Sequence, residues 1–164
     1  MRNIAKITIL IAGLIPAASA MAADTCDFDQ EAVLRELIST AKTNPGGVLD
    51  RKNHLVTWTG SSGKSVQIAY SGCVDLGSSV GVSFPESTNI RTAVAELIRA
   101  TSKYWSPIHA NEMARILTAK QFTTNLPVPG VVEFEVSGGA SRAFPFGFTL
   151  TVQPDEASLS WQQL

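Results

Sequence analysis

The chain runs to 164 residues, 45% hydrophobic and 16% charged, with 13 lysines and arginines against 14 aspartates and glutamates. That length suits one domain large enough to bury a real core. Charges this few, balanced and scattered exclude a general role on nucleic acid or an anionic membrane surface, because both need a concentrated basic patch.

The first residues read as a cleavable export signal. Arg2 and Lys6 form a positive start, Ile7 to Ile15 is an uncharged apolar run, and Pro16 precedes the small residues Ala17-Ala18-Ser19-Ala20. The apolar run is too short to cross a hydrocarbon core of about 30 Å, which takes about 20 residues. Ala18-x-Ala20 predicts a cut after residue 20, with a cut after residue 22 as the alternative. Removing 20 of the 164 residues takes away Arg2 and Lys6. It leaves 144 residues (21–164) as one domain, with 11 basic against 14 acidic side chains. The expected location is periplasmic or secreted, with no transmembrane segment after signal removal. Cys26 and Cys73 are the two cysteines. An even count in an exported chain predicts one disulfide, closing a loop of about 48 residues and stabilising by about 4 kcal/mol in the chain-entropy picture.

In the mature chain, Asp27 and Gln30 stand at capping-box spacing. Val33, Leu34, Leu37, Ile38 and Ala41 follow at helical spacing, until Asn44-Pro45-Gly46-Gly47 stops the helix. Val48 to Thr59 ends in strand alternation, with His54, Val56 and Trp58 on one face. Gly60-Ser61-Ser62-Gly63 is a turn, and Val66, Ile68 and Tyr70 alternate inward after it. A third strand carries Val80, Val82 and Phe84. Pro85 to Thr88 opens a second helix with a stripe from Ile90 to Thr101, closed by Tyr104 and Trp105. A third helix is predicted from about Ala110 to Phe122, and Asn125 to Gly130 reads as a stiff linker. Val132, Phe134 and Val136 alternate with Glu133 and Glu135. Phe144, Phe146, Phe148, Leu150 and Val152 form the clearest strand pattern, after a hairpin loop at Gly138 to Arg142. The tail from about Pro154 is polar and reads as partly disordered. The order α-βββ-αα-ββ predicts an α+β fold. About three helices should pack on one face of an antiparallel sheet of about five strands.

Two short motifs imitate catalytic loops. Gly60 to Ser65 ends in Gly-Lys-Ser like a phosphate-binding loop. However, Trp58 stands where that motif needs its first glycine, and strand patterns lie on both sides. Gly77-Ser78-Ser79-Val80-Gly81 matches the nucleophile-elbow spacing, but the elbow needs a helix after the serine and a strand pattern follows here. A serine nucleophile also needs a histidine base, so Ser79 with His109 is the alternative, hydrolytic reading. His54 and His109 lie in different predicted elements, so no metal site and no cofactor is expected. Asp27, Asp29 and Glu31 suit a helix N-terminus rather than a calcium loop. Two features suit a protein partner: Tyr104 and Trp105 at a helix–helix corner, and Arg142 at the tip of a glycine- and serine-rich loop.

Tyr70-Ser71-Gly72-Cys73-Val74-Asp75-Leu76-Gly77 resembles a group of small uncharacterised bacterial exported proteins. In these a Gly-Cys-x-x-x-Gly segment follows an alternating strand, and an N-terminal cysteine precedes the first helix. The resemblance implies the order of elements and carries over no known enzymatic activity. By analogy of size and compartment, lysozyme inhibitors and toxin-neutralising immunity proteins are also such domains. The resulting expectation is a periplasmic, non-enzymatic binding protein, with an inhibitor or immunity protein directed at a cell-envelope hydrolase or toxin as its specific form. A structural or assembly factor of the envelope is a further alternative.

Overall fold

The computed structural model describes residues 29–72 and 76–163. The export signal, Asp27, Cys26 and Cys73 lie outside the described residues, as does the expected disulfide.

Helix α1 (Gln30–Thr43) begins where the Asp29 carboxylate accepts from the backbone N–H of Ala32 at 2.9 Å. This satisfies one of the orphan donors of a first helical turn. Val33 and Leu37 are its buried residues, and it lies against the first strands. Strands β1 (Val48–Asp50), β2 (Leu55–Thr59), β3 (Ser65–Ser71) and β4 (Gly77–Ser83) form an antiparallel meander. Helix α2 (Ile90–Tyr104) and helix α3 (Pro107–Thr118) follow, and then a second meander of β5 (Thr123–Asn125), β6 (Val132–Ser137), β7 (Gly147–Val152) and β8 (Glu156–Gln162).

The two meanders join through β4 and β8 in a single antiparallel sheet, ordered β1-β2-β3-β4-β8-β7-β6-β5. The fold is α+β with three helices, as the sequence predicts, but the sheet has eight strands rather than about five. Two of the additions are short: β1 and β5 have three residues each and form the edges, a length that limits pairing with other chains. The third is the tail. Residues read as partly disordered form β8, one of the two central strands. Its alternation is regular, with Ala157, Leu159 and Trp161 buried between Glu156, Ser158 and Ser160. Two serines and a small alanine give the segment a polar average although its inward face is apolar.

The helices cover one face. Val56, Trp58, Val66, Ile68, Tyr70, Val80 and Val82 meet Leu37, Ala93, Leu97, Met113 and Ile116 there in one core. The opposite face is uncovered among the described residues. Ala69, Ser79, Ser160, Thr149, Glu135 and Thr123 stand side by side on it across β3, β4, β8, β7, β6 and β5. Gln67 crosses this face to donate to Glu156 at 2.8 Å, passing over Gly81, where a Cβ would collide with the Gln67 side chain.

Local differences from the sequence reading have local causes. Asn89 caps α2, its side chain accepting from the N–H of Thr92, so the helix starts after Pro85–Thr88. The third helix starts at Pro107 rather than at about Ala110: Ser106 is the N-cap, and proline suits the first helical position because its missing N–H would have no partner there. The last turn of α3 ends at Thr118, with Lys120 in the left-handed region at φ 54°. His54 lies in the β1–β2 turn at φ 47°, not on a strand face.

Candidate functional site

The α2–α3 corner is built from its backbone outward. The N–H groups of Trp105 and Ser106 both donate to the Thr101 carbonyl, at 3.1 and 2.8 Å. This ends α2, and Ser106 then turns extended at φ −156° to cap α3. Trp105 and His109 are thereby brought to the same corner, ring centroids 6.4 Å apart.

Aromatic rings from the sheet complete the surroundings. Trp105 meets Trp161 edge-on at 5.0 Å and Tyr70 at 5.7 Å. His109 meets Phe144 at 5.1 Å and Trp161 at 5.5 Å. Edge-to-face aromatic pairs contribute about 0.5–1.5 kcal/mol beyond their area. These rings make a stiff wall for a cleft of about 250 Å³ lined by Trp105, His109, Arg142, Ala143, Pro145 and Trp161. Burial lowers the pKa of His109 from the ordinary histidine value. Its Nδ1 is buried without a hydrogen-bond partner among the described residues. The imidazole therefore stays neutral at neutral pH, and Arg142 is the charged group of the cleft.

The loop presenting Arg142 stands on α3. Arg115 donates to the Ala140 carbonyl at 3.1 Å and pairs with Glu112 at 3.0 Å. Those bonds from Arg115, and then one from Ser141, hold the Glu112 carboxyl below its usual range. Ser141 Oγ accepts from the N–H of Ala143, and the N–H of Gly139 donates to the Pro145 carbonyl. Arg142 itself is exposed and has no salt bridge among the described residues.

Of the residues singled out from sequence, Trp105 and Arg142 share this cleft and Tyr104 does not. Tyr104 packs edge-on against Trp58 at 5.1 Å, and its hydroxyl accepts from the N–H of Ser61 at 3.4 Å, tying α2 to the β2–β3 turn. Ser79 and His109 are not brought together. Ser79 lies opposite Ala69 and Ser160 on the uncovered face, whereas His109 packs against Trp161 and Phe144 on the helix side. The Gly77–Ser83 segment is strand throughout, so the glycine–serine spacing makes no elbow.

Lys64, of the phosphate-loop imitation, pairs with Glu96 at 3.2 Å and lies 6.0 Å from the Phe84 ring centroid. Its glycines form a hairpin turn in which the N–H of Gly63 donates to the Gly60 carbonyl. Among the described residues no group of three or more histidine, cysteine, aspartate or glutamate side chains could hold a metal, and no helix is long and apolar enough to cross a membrane. Trp161 and His109 are cleft residues that sequence reasoning did not single out for binding. The signal for Trp161 was its place in the Ala157-x-Leu159-x-Trp161 alternation.

No protein-family model matches the chain. Searches of curated proteins and of solved structures return no match either.

Proposed function

We propose that this chain is a periplasmic, non-enzymatic binding protein that docks a protein partner at the Trp105–Arg142 cleft. Its specific form is an inhibitor or immunity protein directed at a cell-envelope hydrolase or toxin. The observation that supports this reading is the convergence of a partly buried tryptophan and an exposed arginine with no salt bridge among the described residues, on a loop tied to α3 by the Arg115–Ala140 hydrogen bond. Tryptophan and arginine are the side chains that most often carry binding energy, and pre-ordering them lowers the entropy lost on association. The cleft selects for a partner segment with an apolar group against the ring wall and a carboxylate toward the guanidinium.

The test is capture of envelope proteins by the mature chain, followed by titration of the captured protein. Arg142→Glu and Trp105→Ala should each weaken binding at least tenfold, about 1.4 kcal/mol. Leu126→Ser, in the separate apolar patch of Ile90, Leu126 and Val128, should leave it unchanged. Equal binding by the wild type and both cleft variants would remove the cleft from the function. Loss with Leu126→Ser alone would move the docking surface to that patch.

A further inference from the structure

The uncovered sheet face holds a cavity of about 570 Å³, far from the corner cleft in chemistry. Small-molecule sites commonly have about 300–1,000 Å³. Thr123, Glu135, Thr149 and Ser160 cross it as one row on four neighbouring strands. With strands about 4.8 Å apart, that row extends about 14 Å. Gln162 adds an amide at one end, and among the described residues no lysine, arginine or histidine lines the cavity.

One apolar group stands beside this polar floor. Phe144-Pro145-Phe146-Gly147 is a tight turn, the N–H of Gly147 donating to the Phe144 carbonyl at 3.0 Å. Gly147 takes φ +86°, and a Cβ there would collide with the Val136 carbonyl. The turn sends Phe144 into the core and leaves Phe146 52% exposed at the cavity. A ring held out by a proline–glycine turn, next to hydroxyls, an amide and a carboxylate, matches a ligand with an apolar face and a hydroxylated edge.

We propose that this cavity binds an uncharged oligosaccharide. Phe146 packs against the C–H face of a sugar ring, whose hydrogens are drawn to the negative face of the aromatic ring. Glu135 accepts from sugar hydroxyls, and Thr123, Thr149, Ser160 and Gln162 can both donate and accept. The missing cation disfavours phosphate, carboxylate and nucleic-acid ligands. An extended peptide would find no free backbone groups at β6, β7 and β8, which lie inside the sheet ladder. This inference rests on different observations from the protein-docking proposal, the row on β5 to β8 and Phe146, although Trp161 and Gln162 line both sites.

The experiment applies the mature chain to an array of neutral oligosaccharides, with chitotetraose and cellotetraose titrated by calorimetry. At least one neutral saccharide should bind. Phe146→Ala should weaken that binding at least tenfold, Phe146→Trp should preserve it, and Glu135→Gln should weaken it at least threefold. Arg142→Glu should leave it unchanged. Melting curves of the Phe146 and Glu135 variants should match the wild type, because both side chains are exposed. The proposal is overturned if no neutral saccharide binds, or if binding is indifferent to both Phe146→Ala and Glu135→Gln. It is also overturned if Phe146→Ala instead abolishes capture of a protein partner.

Discussion

Leu159→Ala tests whether the polar tail is structural. Leu159 is 0% exposed and stands opposite Val80 on one side and Leu150 on the other. Truncating it removes three carbons from the seam between the two meanders, flanked by strands on both sides, so the site cannot easily collapse around the void. Buried leucine-to-alanine changes cost about 2–5 kcal/mol, and a site this enclosed belongs in the upper half, about 4 kcal/mol. Urea unfolding followed by far-ultraviolet circular dichroism measures it. With a slope of about 2 kcal/mol per molar, the midpoint should fall by about 2 M. Ser160→Ala, the next residue along and on the opposite face, should shift stability by less than about 0.5 kcal/mol. A Leu159→Ala loss below about 1 kcal/mol, or equal effects at both positions, would refute the placement of β8 at the centre of the sheet.

Three further outcomes follow from single groups. Thr101 is fully buried and its Oγ1 has no hydrogen-bond partner among the described residues, so the nearly isosteric Thr101→Val should stabilise by about 1 kcal/mol and raise the thermal midpoint. Gly147→Ala combines a left-handed φ with a backbone collision and should destabilise by about 2 kcal/mol or more in the same urea assay. His109 has its pKa lowered by burial, so the unfolded chain takes up this proton first as pH falls through about 6.5. Its contribution is therefore full above that value and declines below it. His109→Phe should flatten the fall in urea midpoint between pH 7.5 and 5.5, and an unchanged slope would contradict the assignment.

Elements with strong period-two or period-3.6 patterns were legible in the sequence. Val56 and Trp58, Val66, Ile68 and Tyr70, and Val80 and Val82 are buried as their alternation predicts, and the Gly60–Gly63 turn joins β2 to β3. The α+β class and three helices followed from these. The strand count did not. β1 and β5 are too short to show a period, and in β8 the inward residue Ala157 carries too little hydrophobic contrast to offset its serines. The phenylalanine run from Phe144 misled in the other direction. Its spacing suits a strand, but Pro145 and Gly147 make its start a turn, which is why Phe146 faces outward. In the corner cleft, Trp105 and Arg142 were legible as residue types suited to a partner. Their meeting was not, because it depends on a loop held by Arg115 and on a tryptophan delivered by the last strand.

The central place of β8 also sets the order of events in folding. Gly77 pairs with Gln162, and all seven β4–β8 pairs link residues far apart in the chain. Neither meander can bury its inner edge until residues 156–162 exist to fill the seam. Closing such long loops before any reward is collected slows folding. A chain still being synthesised therefore carries two unfinished half-sheets until residues 156–162 are free to pair with β4.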